Sequence, residues 1–137
     1  PHPGEFKRLF PELVAGHDGA LDAAQATGAT VVRKGSKVMV ATSAGRLWIN
    51  PHSTPALARG GSGDVLTGLM GGLMAQRVAP AAAPQRSEAI TDAVLGAVWW
   101  HAQAGRYAAK QRTVLGVNPL ELARCLNPAL ADHLAKC

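Results

Sequence analysis

The apolar residues of this chain change period from helical to strand and back again, and that pattern constrains the fold more than any other feature. Between residues 30 and 49 they fall in three short β-rich runs, Thr30-Val31-Val32-Arg33, Lys37-Val38-Met39-Val40-Ala41 and Arg46-Leu47-Trp48-Ile49. Gly35-Ser36 and Ala44-Gly45 part them, as tight connections between strands do. From Asp64 onward the spacing is helical, with Val65, Leu66, Leu69, Met70, Leu73 and Met74 on one stripe. Strands followed by layered helices predict part of an α/β sandwich.

The flanking segments fit that plan. Phe6, Leu9, Phe10, Leu13 and Val14 have helical spacing from about Glu5 to Ala15, and Pro11 makes that helix short or broken. An Ala-rich helix is expected from Gly19 to Thr27, stopping at Gly28. Residues 50 to 63 are a loop by composition. In the Asp64 helix, Gly68, Gly71 and Gly72 would admit another backbone, so it is expected to be buried on more than one side. Residues 78 to 85 form a Pro/Ala linker. Ser87 is expected to cap a long helix to about Lys110 that carries Ile90, Val94, Ala97, Val98, His101 and Ala104 on one face. Asn118-Pro119 opens a helix from Leu120 to Leu126, and Asn127-Pro128 opens a last turn. The Met70/Met74 pair reads as core filling.

Composition excludes several functions. The chain has 137 residues, 47% hydrophobic and 17% charged, which suits a globular domain rather than disorder. No apolar run reaches the roughly 18 residues a membrane span needs, and no signal segment opens the chain, so no membrane role is expected. The net charge of +5 admits nucleic acid, an acidic surface or a phosphorylated small molecule. Lysines and arginines are scattered, and the few aromatic residues do not interleave with them, which argues against nucleic acid. Cys125 and Cys137 have no metal-ligand or CxxC pattern and read as reduced thiols of a cytoplasmic protein. No residue is singled out as a metal ligand.

The sharpest chemical signal is Gly60-Gly61-Ser62-Gly63-Asp64-Val65-Leu66, at the junction of loop and helix. Successive glycines can turn consecutive N–H groups into one concavity, and a helix N-terminus adds unpaired donors and partial positive charge. Asp64 in the first helical turn is held in its proton-accepting form. An anion loop beside a base is the arrangement that activates a hydroxyl towards a phosphoryl group. The same residues also suit a tight turn with Asp64 as a plain helix cap. Arg59, just before the glycines, reads as a phosphate contact or a solvated loop charge, with the second favoured. His101 on an apolar face reads as a hydrogen-bonded core histidine. His2 in its Pro-rich entry segment is either exposed or a ligand-contacting residue.

These segments resemble a known family. Gly60 to Leu66 matches the GGSGDVL signature of NAD(P)H-hydrate dehydratases, a variant of the GxGD motif of ribokinase-like kinases, and Pro1-His2-Pro3-Gly4-Glu5 matches their HPGE motif. Lys34-Gly35 matches the KGxxT nucleotide-binding segment, although Val38 stands where the family has threonine, and Arg59 stands where it usually has threonine. The resemblance implies the C-terminal part of a ribokinase-like α/β three-layer sandwich, with residues 1–137 forming part of a single catalytic domain. It implies a lyase that uses ADP or ATP, with Mg²⁺, to return hydrated NADH and NADPH to their normal forms. Asp64 would be the catalytic carboxylate and contact the substrate hydroxyl. Gly60, Gly61, Ser62 and Gly63, with Lys34, Gly35, Ser36, Lys37 and Val38, would bind nucleotide, and His2 would touch the substrate.

The chain opens at Pro1, inside a motif and without Met, so the N-terminal strands and part of the substrate site are expected upstream. The piece alone is expected to be inactive and to self-associate through uncovered faces, and a homo-oligomer is possible. Two rival readings remain: a ribokinase-like kinase of a small hydroxymethyl substrate, and a non-catalytic nucleotide-binding module.

Overall fold

The computed structural model describes residues 1–13, 17–78 and 85–136. The chain divides into two compact units, Pro1–Pro51 and His52–Cys137. No helix of the described residues is long and apolar enough to cross a membrane.

The first unit holds helices α1 (Pro3–Leu9) and α2 (His17–Thr27) and strands β1 (Val31–Arg33), β2 (Val38–Ala41) and β3 (Leu47–Asn50). The strands form an antiparallel sheet in sequence order, with Val31 opposite Ala41, Val32 opposite Val40, and Val40 opposite Trp48. The short connections expected at Gly35-Ser36 and Ala44-Gly45 permit only this neighbour pairing. At the second connection Thr42 N donates to Arg46 O (3.0 Å) and Gly45 N to Thr42 O (3.0 Å), closing the turn. The small residues of α2 explain how it lies so close to the sheet: Ala20, Ala23 and Ala24 are buried together with Phe6, Val31 and Ala41. Phe10, Leu13, Leu21 and Leu47 pack around that core. Helix α1 ends at Leu9, before the residue preceding Pro11, whose ring disfavours helical backbone there. Val14 and Ala15, the expected end of that helix, lie outside the described residues.

The second unit opens with a single 3₁₀ turn at Pro55–Leu57, capped by the Thr54 side chain, inside the segment expected to be loop. Among the described residues four helices follow: α3 (Ser62–Val78), α4 (Arg86–Arg112), α5 (Pro119–Arg124) and α6 (Leu126–Leu134). Its core gathers Ala56, Ala104, Ala108, Val117, Leu122 and Ala129. Helix α4 is the spine and packs against α3, α5 and α6. Of its expected inner face, Val94, Ala97, Val98, His101 and Ala104 are buried, while Ile90, near the start of the helix, is only half-buried. At Gly105 a Cβ would stand 2.6 Å from Leu57 Cδ2, so the glycine lets α4 approach the 3₁₀ turn.

Three expectations are corrected. Ser87 does not cap α4: the helix begins at Arg86 and its N-cap is Gln85, with no side-chain bond, while the Ser87 carbonyl accepts from Thr91 Oγ1 at 2.9 Å. The last helix is longer than one turn, because Pro128 sits in the first turn of α6, where no intrahelical N–H is required. Helix α3 is not buried all round. Ser62 and Leu66 are its buried residues, Met70 and Met74 are half-buried, and a Cβ at Gly68, Gly71 or Gly72 would meet nothing within 4 Å. The helix packs against α4 and α5, and its glycine-bearing side meets no neighbour among the described residues. The Pro/Ala linker lies outside the described residues except at its ends.

Candidate functional site

The glycine run folds as a bend that feeds α3. Gly61 has φ 86°, the left-handed region that favours glycine, and a Cβ there would stand 2.7 Å from Pro119 Cγ. Both backbone angle and space therefore demand glycine at this position. The carbonyl of Gly61 turns towards the helix and accepts from Asp64 N (3.1 Å) and Val65 N (3.2 Å), while Ser62 N donates to Arg59 O (3.2 Å). The amides of Gly60, Gly61 and Gly63 have no backbone acceptor among the described residues. They lie at the positive end of a helix of 17 residues.

Helix α4 supports this bend from beneath. Ser62 and His101 are both buried, and His101 Nε2 lies 3.0 Å from Ser62 O and 3.3 Å from Ser62 Oγ. A carbonyl can only accept, so Nε2 carries the ring hydrogen on this contact. His101 is thus the hydrogen-bonded core histidine expected from its face, and it fixes the loop by holding its backbone. The Ser62 side chain is turned inwards to that contact. Asp64 stands exposed in the first turn of α3. Arg59 donates from Nη2 to Leu115 O (3.3 Å), tying the loop to the α4–α5 connection. Its guanidinium is thereby engaged as a loop contact.

The other candidate residues lie in the first unit. His2 is the N-cap of α1, where its Nδ1 accepts from Gly4 N (3.0 Å) and Glu5 N (3.4 Å). Glu5 Oε2 accepts in return from His2 N (2.6 Å), completing a capping box in which histidine takes the usual serine's place. That bond from the His2 backbone, and next the Lys34 ammonium 3.8 Å away, hold the Glu5 carboxyl below its ordinary range. Because Nδ1 accepts, the neutral His2 ring carries its hydrogen on Nε2, which lies 3.5 Å from Glu5 Oε1. Lys34 N donates to Pro1 O (2.8 Å), so the opening segment is fastened to the end of β1. Lys34, Gly35, Ser36 and Lys37 form the β1–β2 connection, with the last three exposed, and Val38 begins β2 opposite Asn50.

The structure therefore gathers His2, Glu5 and Lys34 in one unit, and Gly60 to Asp64 with His101 and Pro119 in the other. Three partners escaped sequence reasoning. Glu5 had a signal, the three-residue spacing of a capping box. The bond from His101 to Ser62 and the seat of Pro119 on Gly61 had none, since each joins distant parts of the sequence. The Cys125 thiol is free, and burial, then the Glu121 carboxylate, push its pKa up.

Comparison with known proteins bears on this geometry. A family model described as NAD(P)H-hydrate dehydratase matches residues 1–128. The chain is 52% identical over 139 residues to the bifunctional NAD(P)H-hydrate repair enzyme Nnr of Thermosynechococcus vestitus, covering 98% of this chain and 25% of that protein. Among solved structures, it is similar to the ADP/ATP-dependent NAD(P)H-hydrate dehydratase of Bacillus subtilis, co-crystallized with ATP/Mg²⁺ and soaked with CoA. There the TM-score is 0.79 and the identity 28%, over 96% of this chain and 47% of that one. A ribokinase-like superfamily protein of Enterococcus faecalis matches with TM-score 0.74 and 26% identity, over 96% of this chain and 43% of that one. The chain thus has a ribokinase-like fold, and it spans about a quarter of the bifunctional relative and just under half of the solved chains.

Proposed function

Because this chain belongs to the NAD(P)H-hydrate dehydratase family, we propose that it carries the nucleotide-binding and catalytic residues of an enzyme that dehydrates hydrated NADH and NADPH. The observation that carries the proposal is the row of Gly60, Gly61 and Gly63 amides that have no backbone acceptor among the described residues, set at the start of α3 beside the exposed Asp64 carboxylate. Residues 1–137 are read as part of one ribokinase-like catalytic domain, and the family match running through both units supports that reading.

The residues present suit ADP or ATP with Mg²⁺. Among the described residues no group of three or more His, Cys, Asp or Glu gathers as a metal cage. Mg²⁺ is commonly held in large part by substrate phosphate oxygens and water, so it would enter with a nucleotide whose phosphates sit at the glycine bend and needs no such cage. When bound, the nucleotide supplies a phosphoryl group for the added hydroxyl of the hydrate, so that phosphate leaves with the C–O bond, a ring proton is lost and the ring double bond returns. The chain's own residues do the rest. The glycine amides bind nucleotide phosphate, and the α3 N-terminus steadies its charge. Asp64 takes the hydroxyl proton as that oxygen attacks phosphorus. His101 holds the Ser62 backbone and so keeps the bend in shape. In the first unit His2 offers its Nε2 hydrogen to substrate, and Lys34 to Val38 border the nucleotide. The free Cys125 thiol fits a cytoplasmic protein.

The test is paired. In the protein that carries this chain, Asp64→Asn is assayed for turnover of hydrated NADH and for ADP affinity. Loss of turnover with affinity kept supports the assignment. Turnover at the parent rate removes Asp64 from the role of base.

A further inference from the structure

Helices α4 and α6 face each other along two stripes of the same spacing. On α4 the stripe is Gln103, Arg106, Tyr107 and Lys110, and on α6 and the turn that follows it the stripe is Ala129, Asp132, His133 and Lys136, each at i, i+3, i+4 and i+7. Such facing positions are ordinarily apolar, because they are where two packed helices exclude water. Here only Ala129 is a buried apolar residue, and the stripes line a cleft of about 140 Å³. At about 30 Å³ per water, that is room for a handful of waters or for one tetrahedral oxyanion.

The cleft is positively charged by construction. Among the described residues Arg106, Lys110 and Lys136 face a single carboxylate, Asp132, and Lys136 Nζ lies 2.5 Å from Asp132 Oδ2. That ion pair leaves two positive charges, on Arg106 and Lys110, uncompensated within the cleft. The side chains are also held. Arg106 Nη1 donates to His52 Nδ1 at 3.0 Å, and His133 meets the Trp99 ring edge-on at a centroid distance of 4.6 Å. The same field appears in Asp132, whose carboxyl is held below its ordinary range first by the hydrogen bond from Lys136 and further by Lys110 and His133. An Arg fork, an ammonium, a Tyr hydroxyl and a Gln amide around a small cleft match the oxygens of a dianion.

We infer that the cleft between α4 and α6 is a binding site for a phosphate dianion, as inorganic phosphate or as the phosphate of a small monoester. It is separate in residues from the Gly60–Gly63 bend, and its occupant is recognised through Arg106 and Lys110, with Lys136 and Asp132 setting the net charge.

The test is a titration of the protein with inorganic phosphate, and separately with glycerol 3-phosphate, at constant ionic strength, followed by NMR of the His133 ring and the Gly60–Gly63 amides. The expected result is a saturable shift at His133, weakened about tenfold or more by Arg106→Gln, the effect of losing one charge-assisted hydrogen bond. Asp132→Asn, which removes the one negative charge and frees Lys136, is expected to tighten binding. Equal response to both ligands assigns the phosphate group itself as the determinant, and response to inorganic phosphate alone assigns the free anion. Shifts confined to Gly60–Gly63, or a His133 response that sodium chloride reproduces, would overturn the inference. So would an Asp132→Asn variant that weakens binding as Arg106→Gln does. The glycine amides report on the nucleotide site independently, so either reading can fail alone.

Discussion

The first residues of α1 and of α3 face the same physical problem, a set of backbone N–H groups with no carbonyl inside the helix to receive them. At α1 the chain solves it with its own side chains: His2 Nδ1 accepts from Gly4 and Glu5, and Glu5 accepts from His2. At α3 the residues that could do so are glycines, and the amides of Gly60, Gly61 and Gly63 face no backbone acceptor among the described residues. A capped start contributes to stability, whereas an open one is available to an anion. On this contrast the start of α3 has donors left over for an anion, and the start of α1 does not.

The largest expected effect strikes the open start. Asp64→Asn is expected to lower turnover of hydrated NADH by about 10²–10⁴-fold, the usual cost of removing a general base, with ADP affinity nearly unchanged. Steady-state rates and calorimetric titration check this, and an equal fall in both would move Asp64 from catalysis to nucleotide binding.

Next comes the bend itself. Gly61→Ala places a Cβ at φ 86° and 2.7 Å from Pro119 Cγ, so it is expected to destabilise the fold by about 1–3 kcal/mol and to weaken nucleotide binding. Denaturant melts and ADP titrations of the variant measure both. A variant of parent stability and affinity would mean that the bend tolerates another shape.

The capped start should respond with stability and leave ADP affinity unchanged. His2→Ala removes the acceptor for two amides and is expected to cost about 0.5–2 kcal/mol. If ADP affinity falls as well while stability holds, the contrast between the two helix starts is wrong, and His2 belongs with the nucleotide.

The smallest effect concerns pH. Glu5 has its folded pKa depressed, so the stability it contributes is present above the unfolded carboxyl value and is lost as pH falls through the folded one. Glu5→Gln is expected to flatten the acid limb of the stability profile slightly, since the carboxylate is exposed. Melts from neutral to acid pH read this, and an unchanged acid limb would place the sensitivity on another carboxylate.

Local features of the fold were legible because local physics sets them. The three strands fall within a residue or two of the β-rich runs, since alternation and tight connections specify antiparallel neighbours. Helix α2 stops before Gly28 as expected, and α5 opens at Asn118-Pro119, where the Asn118 side chain accepts from Glu121 N at 2.9 Å. Ser87 misled because a serine early in a helix cannot by itself show whether the helix begins at it or before it.

The sequence by itself determined the order of elements, the ribokinase-like family and the glycine bend with Asp64 at its edge. Each of those follows from residues close together along the chain. Only the tertiary structure decided that His101 would hold Ser62, that Pro119 would rest on Gly61, that α3 would pack against α4 and α5, and that two charged stripes would meet between α4 and α6. Those contacts join residues far apart in the chain, His101 and Ser62 being 39 positions apart. Periodicity can name the side of a helix that turns inwards, but the partner on that side depends on how whole elements pack.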